Sequence, residues 1–212
     1  MESARFITFE GGEGAGKSTQ IKLLSGRLGV AGINNIATRE PGGTPRGQAL
    51  RELLVTGDAD RWPAMAEALM MLADRAIHLE DMIRPQLEQG VWVLCDRYMD
   101  STRAYQGIAG DLGLDVIDRL QAPVIGSTQP DLTFLMDLPA QLGLERAATR
   151  GGAARFEAKG LTYHEQIRAG FLEMSQDDPD RFVVIDAGRD IQSIADEVFT
   201  HVKGRFLEPE ND

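Results

Sequence analysis

The chain has 212 residues, of which 42% are hydrophobic and 26% are charged, and this length predicts one domain that spans residues 1–212. A net charge of −11 argues against a nucleic-acid polymer or an anionic membrane as partner, and no apolar run approaches the length of a membrane span. The single cysteine, Cys95, allows no intrachain disulfide, and with no signal peptide in view we expect a cytoplasmic protein.

The first predicted strand, residues 6–9, is followed by a glycine-rich loop and then by apolar residues at helical spacing. The loop matches the pattern G-x-x-x-x-G-K-[ST] at every position, with the residues Gly11, Gly12, Glu13, Gly14, Ala15, Gly16, Lys17, Ser18 and Thr19. Backbone N–H groups and a helix N-terminus hold phosphates in such a loop, so we expect these residues to bind ATP. We expect Lys17 to reach the β- and γ-phosphates and Ser18 to ligate the Mg²⁺ that bridges them.

Further apolar runs predict strands at residues 35–38, 91–95, 133–136 and 182–185, and longer helical patterns separate them. This alternation predicts an α/β fold with a parallel sheet and crossover helices on both faces. Each predicted strand has a polar residue at or just after its carboxyl end, in chain order Glu10, Arg39, Asp96, Asp137 and Asp186. Ligands bind beyond these ends in open parallel sheets, so we expect a site at this edge.

The segment 38–47 contains two prolines and three glycines and carries Arg39, Glu40 and Arg46. It predicts a substrate-binding loop, and a plain turn before a helix that starts near residue 48 is the alternative. A long helix is predicted over residues 63–87. Its apolar face, which includes Met65, Leu69, Leu72 and Ala76, indicates core packing, and helix pattern alone makes Asp74 and Arg75 a solvated pair.

The third predicted strand ends in Asp96, as in a Walker B segment, whose aspartate holds Mg²⁺ directly or through water. ATPases of the motor type usually place a glutamate at the next position, whereas this chain has Arg97, an anion binder. That difference favours phosphoryl transfer to a second anionic substrate over hydrolysis. Residues 100–107 then bring hydroxyl, phenol and carboxamide groups together, which suits the edge of a heterocycle or sugar.

The segment 146–157 is rich in glycine and alanine and carries spaced arginines between two helical stretches. It predicts a mobile lid over about residues 147–160, and Arg150 and Arg155 are expected to reach the transferring phosphoryl group when the lid closes. A flexible, solvated linker is the alternative.

These segments together resemble the thymidylate kinase family over nearly the whole chain. The matching parts are residues 9–19, 38–44, 74–75, 96–98, 101, 104–107 and 155–157. The resemblance implies a three-layer P-loop kinase fold, in which helices flank a five-stranded parallel sheet and a mobile lid covers the site. It also implies a homodimer and the ATP-dependent phosphorylation of dTMP to dTDP, with Mg²⁺, in dTTP biosynthesis.

The resemblance assigns substrate contacts to Glu13, Arg39, Met71, Arg75, Arg97, Ser101, Thr102, Tyr105 and Gln106. It implies that Glu13 accepts from the dTMP 3′-hydroxyl and that Arg39 and Arg97 bind the dTMP phosphate. Thymine is expected to lie with its O4 at Arg75 and its polar edge near Ser101, Thr102 and Gln106. Met71 takes the position of a stacking aromatic ring, and Tyr105 is expected against the sugar.

For the reaction itself, the resemblance assigns catalytic roles to Lys17, Arg97, Arg150, Arg155 and Glu13. It implies that Glu10 and Asp96 help to order Mg²⁺ and its waters. A kinase for another small acceptor, such as dUMP, CMP or shikimate, is the nearest alternative. A nucleotide-binding module without turnover also fits a phosphate loop, whereas a GTP-dependent switch lacks its N-K-x-D guanine reader here.

Overall fold

The computed structural model describes residues 4–149 and 154–207. Its described strands lie where the apolar runs predict them, and each extends to the polar residue at the carboxyl end of its run. They are β1 (Phe6–Glu10), β2 (Asn35–Arg39), β3 (Trp92–Asp96), β4 (Leu132–Asp137) and β5 (Phe182–Asp186). The sequence-based strand predictions are therefore confirmed.

The described helices fill the stretches between these strands. They are α1 (Lys17–Val30), α2 (Pro45–Val55), α3 (Ala64–His78), α4 (Arg84–Glu88), α5 (Met99–Thr102), α6 (Leu114–Ile125), α7 (Ala140–Ala148), α8 (Ala154–Glu157), α9 (Leu161–Asp177) and α10 (Ile191–Val202). π-Helical turns occur at Leu79–Ile83, Arg103–Ile108 and Lys203–Leu207. The first of these turns joins α3 to α4, so the segment predicted as one helix over residues 63–87 is helical from Ala64 onward but interrupted by this turn.

All neighbouring strands run parallel, in the spatial order β2-β3-β1-β4-β5. Helices cover both faces, which confirms the predicted three-layer P-loop kinase fold. In the sheet, β2 and β3 lie on one side of β1, and β4 and β5 lie on the other side. The carboxyl end of β1 is therefore the place where strand order reverses, which is where open α/β sheets bind ligands.

Every residue of β1 is buried, as expected for a central strand that has helices on both faces. On one face, Leu24 and Leu28 of α1 and Val198 of α10 pack into the largest apolar cluster. On the other face, α9 contributes Ile167 and Phe171 to a second cluster. The loop that follows β1 is thus anchored to well-packed elements on both sides.

The prediction for α3 is wrong in two respects. Met65 and Leu69 are 38% and 50% exposed, and only Leu72 of that stripe is buried. Asp74 and Arg75 are not a solvated pair, because each is 1% exposed. The helix turns this charged pair inward because the pair binds groups of the loop after β2, as described below. Within the described ranges no helix has the length and apolar character needed to span a bilayer.

Candidate active site

The phosphate loop connects the end of β1 to the first turn of α1. Gly11, Gly14 and Gly16 all have positive φ, a conformation that side-chain-bearing residues rarely adopt. A Cβ on Gly14 would also collide with the carbonyl of Gly143 in α7. The backbone therefore closes tightly over its neighbours, and the positive end of α1 faces the concave side, as anion binding requires.

Lys17 lies over this loop. Its Nζ donates to the carbonyl oxygens of Gly11 at 3.0 Å and Gly12 at 2.8 Å. Burial, together with the nearby positive charge of Arg97, lowers the pKa of the Lys17 ammonium to about 8. An arriving phosphate would reverse both of these unfavourable effects, because it supplies the counter-charge that the site lacks.

A cleft of about 210 Å³ opens beside the loop, and positively charged side chains from α1, β2, α2 and the segment after β3 line it. Its cationic side chains are Lys17, Arg39, Arg51 and Arg97. Arg51 lies on α2, donates to the Pro41 carbonyl at 2.9 Å and has a pKa lowered by burial and then by Arg39. Sequence reasoning missed Arg51, since an arginine inside an amphipathic helix gives no signal of its own.

Ser18 and Asp96 meet at the edge of this cleft, where Ser18 Oγ donates to Asp96 Oδ2 at 2.5 Å. Two adjacent hard oxygen ligands suit Mg²⁺, which usually takes one or two protein oxygens and completes its shell with water and phosphate. Among the described residues, no three or more His, Cys, Asp and Glu side chains form a group that could hold a metal. The residues present fit a metal shared with a phosphate, and do not fit a closed protein cage.

Glu10 does not join Ser18 and Asp96, contrary to the prediction that it orders Mg²⁺. Its carboxylate is 0% exposed, and its two oxygens accept from Tyr98 N at 2.7 Å and Ser101 Oγ at 2.5 Å. Burial, and then the nearby Asp100, raise the pKa of Glu10 to about 7. Glu10 thus holds the segment after β3 in place, because both of its hydrogen-bond donors belong to that segment.

Arg97 follows β3 in a left-handed conformation with φ of 72°, which is uncommon for a residue with a side chain. Its Nη2 donates to Glu13 Oε1 at 3.0 Å and its Nη1 to the Gly11 carbonyl at 2.9 Å. Tyr105 places its hydroxyl 2.9 Å from the same Glu13 oxygen and its ring under the Arg97 guanidinium. Burial alone would raise the pKa of Glu13, but Arg97 and Lys17 outweigh it and lower the pKa to about 2.

A second cavity, of about 290 Å³, adjoins the phosphate cleft. Of the residues predicted to contact substrate, it is lined by Glu13, Met71, Arg75, Arg97, Ser101, Thr102, Tyr105 and Gln106. Arg39, the remaining one, lines the phosphate cleft. The structure therefore brings the predicted substrate contacts into two connected spaces.

Arg75 lines the inner part of this cavity and is held by Glu40, a residue of the predicted substrate-binding loop to which the sequence assigned no individual role. Arg75 Nε donates to Glu40 Oε2 at 2.8 Å, and Arg75 Nη2 donates to Thr102 Oγ1 at 3.1 Å. The neighbouring Asp74 accepts from the backbone N–H of Gly42 at 3.0 Å. Both members of the charged pair in α3 thus fix the loop after β2.

The lid is only partly described, and Arg150 lies outside the described residues. Arg155 is 1% exposed, forms an ion pair with Glu67 and donates to the Leu54 carbonyl at 2.9 Å. Arg155 therefore does not line the phosphate cleft in this structure, and its movement to the transferring phosphoryl group on lid closure stays a prediction. The guanidinium instead donates to the buried carboxylate of Glu67 and to the carboxyl end of α2. The neighbouring Phe156 lines the 290 Å³ cavity.

A third space, of about 740 Å³, lies on the opposite side of the phosphate loop. The loop residues Gly14, Ala15 and Gly16 line both this space and the phosphate cleft. The third space is also lined by Arg146 of α7, by Ala187 and Arg189 of the segment after β5, and by Gln192 of α10. The phosphate loop therefore separates two cavities, each large enough for part of a nucleotide.

Comparison with known proteins agrees with this geometry. The family model described as thymidylate kinase matches residues 9–198. A thymidylate kinase of Caulobacter vibrioides is 56% identical over 92% of this chain and 93% of its own length. Those of Rhodopseudomonas palustris and Nitrobacter hamburgensis are 47% and 46% identical, over 97% and 96% of this chain and over 91% and 90% of their own lengths. The chain belongs to the thymidylate kinase family.

Proposed function

We propose that this protein transfers the γ-phosphoryl group of ATP to dTMP, giving dTDP for dTTP biosynthesis. The observation that carries the proposal is the position of the Arg97–Glu13 pair, which lines both the phosphate cleft and the 290 Å³ cavity. An acceptor bound in that cavity would have its phosphate at Arg97, next to the phosphate loop. The name of the family identifies the acceptor as thymidylate.

The 290 Å³ cavity, which we call the acceptor cavity, offers distinct contacts for base and sugar. Met71 provides a polarisable surface for the thymine ring, and Arg75 provides donors for O4. The polar groups of Ser101, Thr102 and Gln106 lie along the same cavity and suit the remaining base edge. Tyr105 and Glu13, which are hydrogen-bonded to each other, suit the deoxyribose and its 3′-hydroxyl.

The chemical problem is repulsion between two polyanions, because the acceptor phosphate is already an anion near neutral pH and needs no strong base. Lys17, Arg39 and Arg97 oppose that repulsion and hold the reacting groups in line. We propose Arg150 as the arginine that the lid supplies, and Glu13 as the group that holds Arg97 in position. Mg²⁺ would supply further neutralisation of the ATP phosphates, and Ser18 and Asp96 would hold it directly or through water.

The donor nucleotide is proposed to bind along the phosphate loop, from Gly11 to Thr19. Its phosphates would lie against the loop backbone, and its base would lie in the 740 Å³ space on the far side. This assignment leaves the acceptor cavity free for dTMP. The two substrates then meet at the cationic cleft between them.

A coupled assay of ADP release, with MgATP and a panel of dTMP, dUMP, dCMP, CMP and shikimate, tests the function. We expect dTMP to have the highest kcat/KM and chelation of Mg²⁺ to abolish turnover. A preference for dUMP or CMP would support the alternative acceptor instead. ATP binding without product from any acceptor would identify a binding module and overturn the proposal.

We further propose that the protein is a cytoplasmic homodimer of one-domain subunits spanning residues 1–212. Met65, Leu69, Ala73 and Ala76 are exposed at spacings of four, four and three residues, and so form one apolar stripe along α3. A second copy of the chain would cover this stripe. Light scattering on the purified protein should give a dimer mass and Leu69→Arg a monomer mass, whereas a wild-type monomer would overturn this assignment.

A further inference from the structure

Glu67 lies in the first turn of α3 and is 1% exposed, although it carries a carboxylate. Its Oε1 accepts from the Arg155 guanidinium and from Lys159 Nζ, the latter at 2.9 Å. Its Oε2 accepts from Gln106 Nε2 at 3.1 Å. Glu67 therefore binds two cations from the described part of the lid on one side and a residue of the acceptor cavity on the other.

The contact with Gln106 determines which way that amide points. An ionised carboxylate offers only acceptors, so the Gln106 NH₂ group must face Glu67 and the carbonyl oxygen must face away. Within the described part of the chain, this oxygen is buried and has no hydrogen-bond partner. A buried acceptor without a partner is costly, and it is the kind of group that a ligand donor completes.

We propose that Glu67 is a positioning residue for the acceptor base, and that it acts by fixing the orientation of the Gln106 amide. The Gln106 carbonyl oxygen then accepts from the ring N3–H of thymine. Cytosine carries a lone pair at N3, so the fixed oxygen repels it. This inference rests on the proposed function, since it assumes that the cavity lined by Gln106 holds the acceptor pyrimidine.

Calorimetric titration of the full-length protein with dTMP and with dCMP tests this inference without requiring turnover. The quantity measured is the ratio of the two dissociation constants, in the wild type and in Glu67→Gln. Glutamine can donate as well as accept, so it leaves the Gln106 amide free to turn. We expect the ratio to fall about tenfold or more, the size of one hydrogen bond to a buried group.

A double-mutant cycle with Gln106→Leu separates this role from a purely structural one. If Glu67 acts through Gln106, Glu67→Gln changes the ratio no further in the Gln106→Leu background. A structural role would weaken binding of both nucleotides equally and leave the ratio unchanged. Lys159→Met is the matched control, because it removes a partner of Glu67 but keeps the contact with Gln106, and its ratio should remain wild type.

The outcomes for the inference and for the function are distinct. A wild type that phosphorylates dTMP, with a ratio that Glu67→Gln does not lower, overturns the inference alone. A wild type that binds neither nucleotide overturns both. Should Glu67→Gln fail to fold, Glu67→Asp replaces it, because it keeps the charge but withdraws the carboxylate from Gln106, and the ratio is again expected to fall.

Discussion

The guanidinium of Arg97 lies 3.0 Å from the carboxylate of Glu13, and this ion pair joins the end of β3 to the phosphate loop. Arg97 reaches this position through a backbone conformation with φ of 72°. The pair lines both the phosphate cleft and the 290 Å³ cavity, and so it links the two spaces that we propose as the donor and acceptor sites.

Replacing Arg97 with lysine keeps the charge but removes the planar fork that binds Glu13 and the Gly11 carbonyl together. We expect kcat/KM for dTMP to fall by roughly 10² or more, since the donors in this site act on developing charge. Steady-state kinetics over a range of dTMP concentrations measures the change. Arg27→Lys, on the α1 surface facing Asp196, is the control and should behave as wild type.

Lys17→Met removes the ammonium group from the phosphate loop and retains most of the apolar stem. We expect kcat to fall by roughly 10² to 10³, because one positive charge beside the transferring phosphate is lost. The acceptor cavity does not include Lys17, so the affinity for dTMP should change far less. Turnover near the wild-type rate in a folded variant would remove Lys17 from the mechanism.

Gly14→Ala should destabilise the fold by about 2 kcal/mol or more, because it forces a side chain into a left-handed conformation and against the carbonyl of Gly143. Gly12→Ala is the matched control. A Cβ at Gly12 meets no atom within 4 Å, so its stability should remain within about 0.5 kcal/mol of wild type. Urea denaturation of the two variants measures the difference, and equal stabilities would contradict the tight packing of the loop.

Asp74 should make stability depend on pH in a defined direction. Burial, and then the neighbouring Glu40, raise its pKa from 3.8 to about 6 in the folded protein. A raised carboxyl pKa contributes stability that is fully present below the unfolded value and is lost as pH rises through the folded value.

Asparagine does not titrate, so the free energy of unfolding of Asp74→Asn should increase relative to that of the wild type as the pH rises. We expect the difference in unfolding free energy to shift by on the order of 1 to 3 kcal/mol between about pH 4 and about pH 8. Asparagine keeps one oxygen that can accept from the Gly42 N–H, so any weakening of this hydrogen bond adds only a constant offset. Urea denaturation at both pH values checks this, and a constant difference would show that Asp74 does not titrate in this window.

The sequence was sufficient to predict the parallel sheet and the phosphate loop, because both depend on local patterns. Apolar runs defined every described strand, and the glycine spacing in the loop reflects backbone angles that only glycine adopts readily. The position of Ser18 followed from the phosphate-loop pattern, and those of Asp96 and Arg97 followed from the end of a parallel strand. These predictions needed no information about long side chains.

Predictions that depended on where a long or charged side chain turns were less successful. Arg155 and Glu10 were expected at the phosphates and the metal, but both satisfy their hydrogen bonds on buried partners distant in sequence. Glu40 and Arg51 belong to the site because of tertiary contacts with Arg75 and Pro41. No periodicity in the chain encodes such contacts.

The phosphate loop with a cavity on either side also has a kinetic consequence. Neither nucleotide has to depart before the other arrives, and no described nucleophile is needed to carry the phosphoryl group between them. The reaction should therefore pass through a ternary complex with direct transfer. Double-reciprocal plots at several fixed ATP concentrations should intersect, and parallel lines would instead indicate a phosphorylated enzyme that shuttles between two half-reactions.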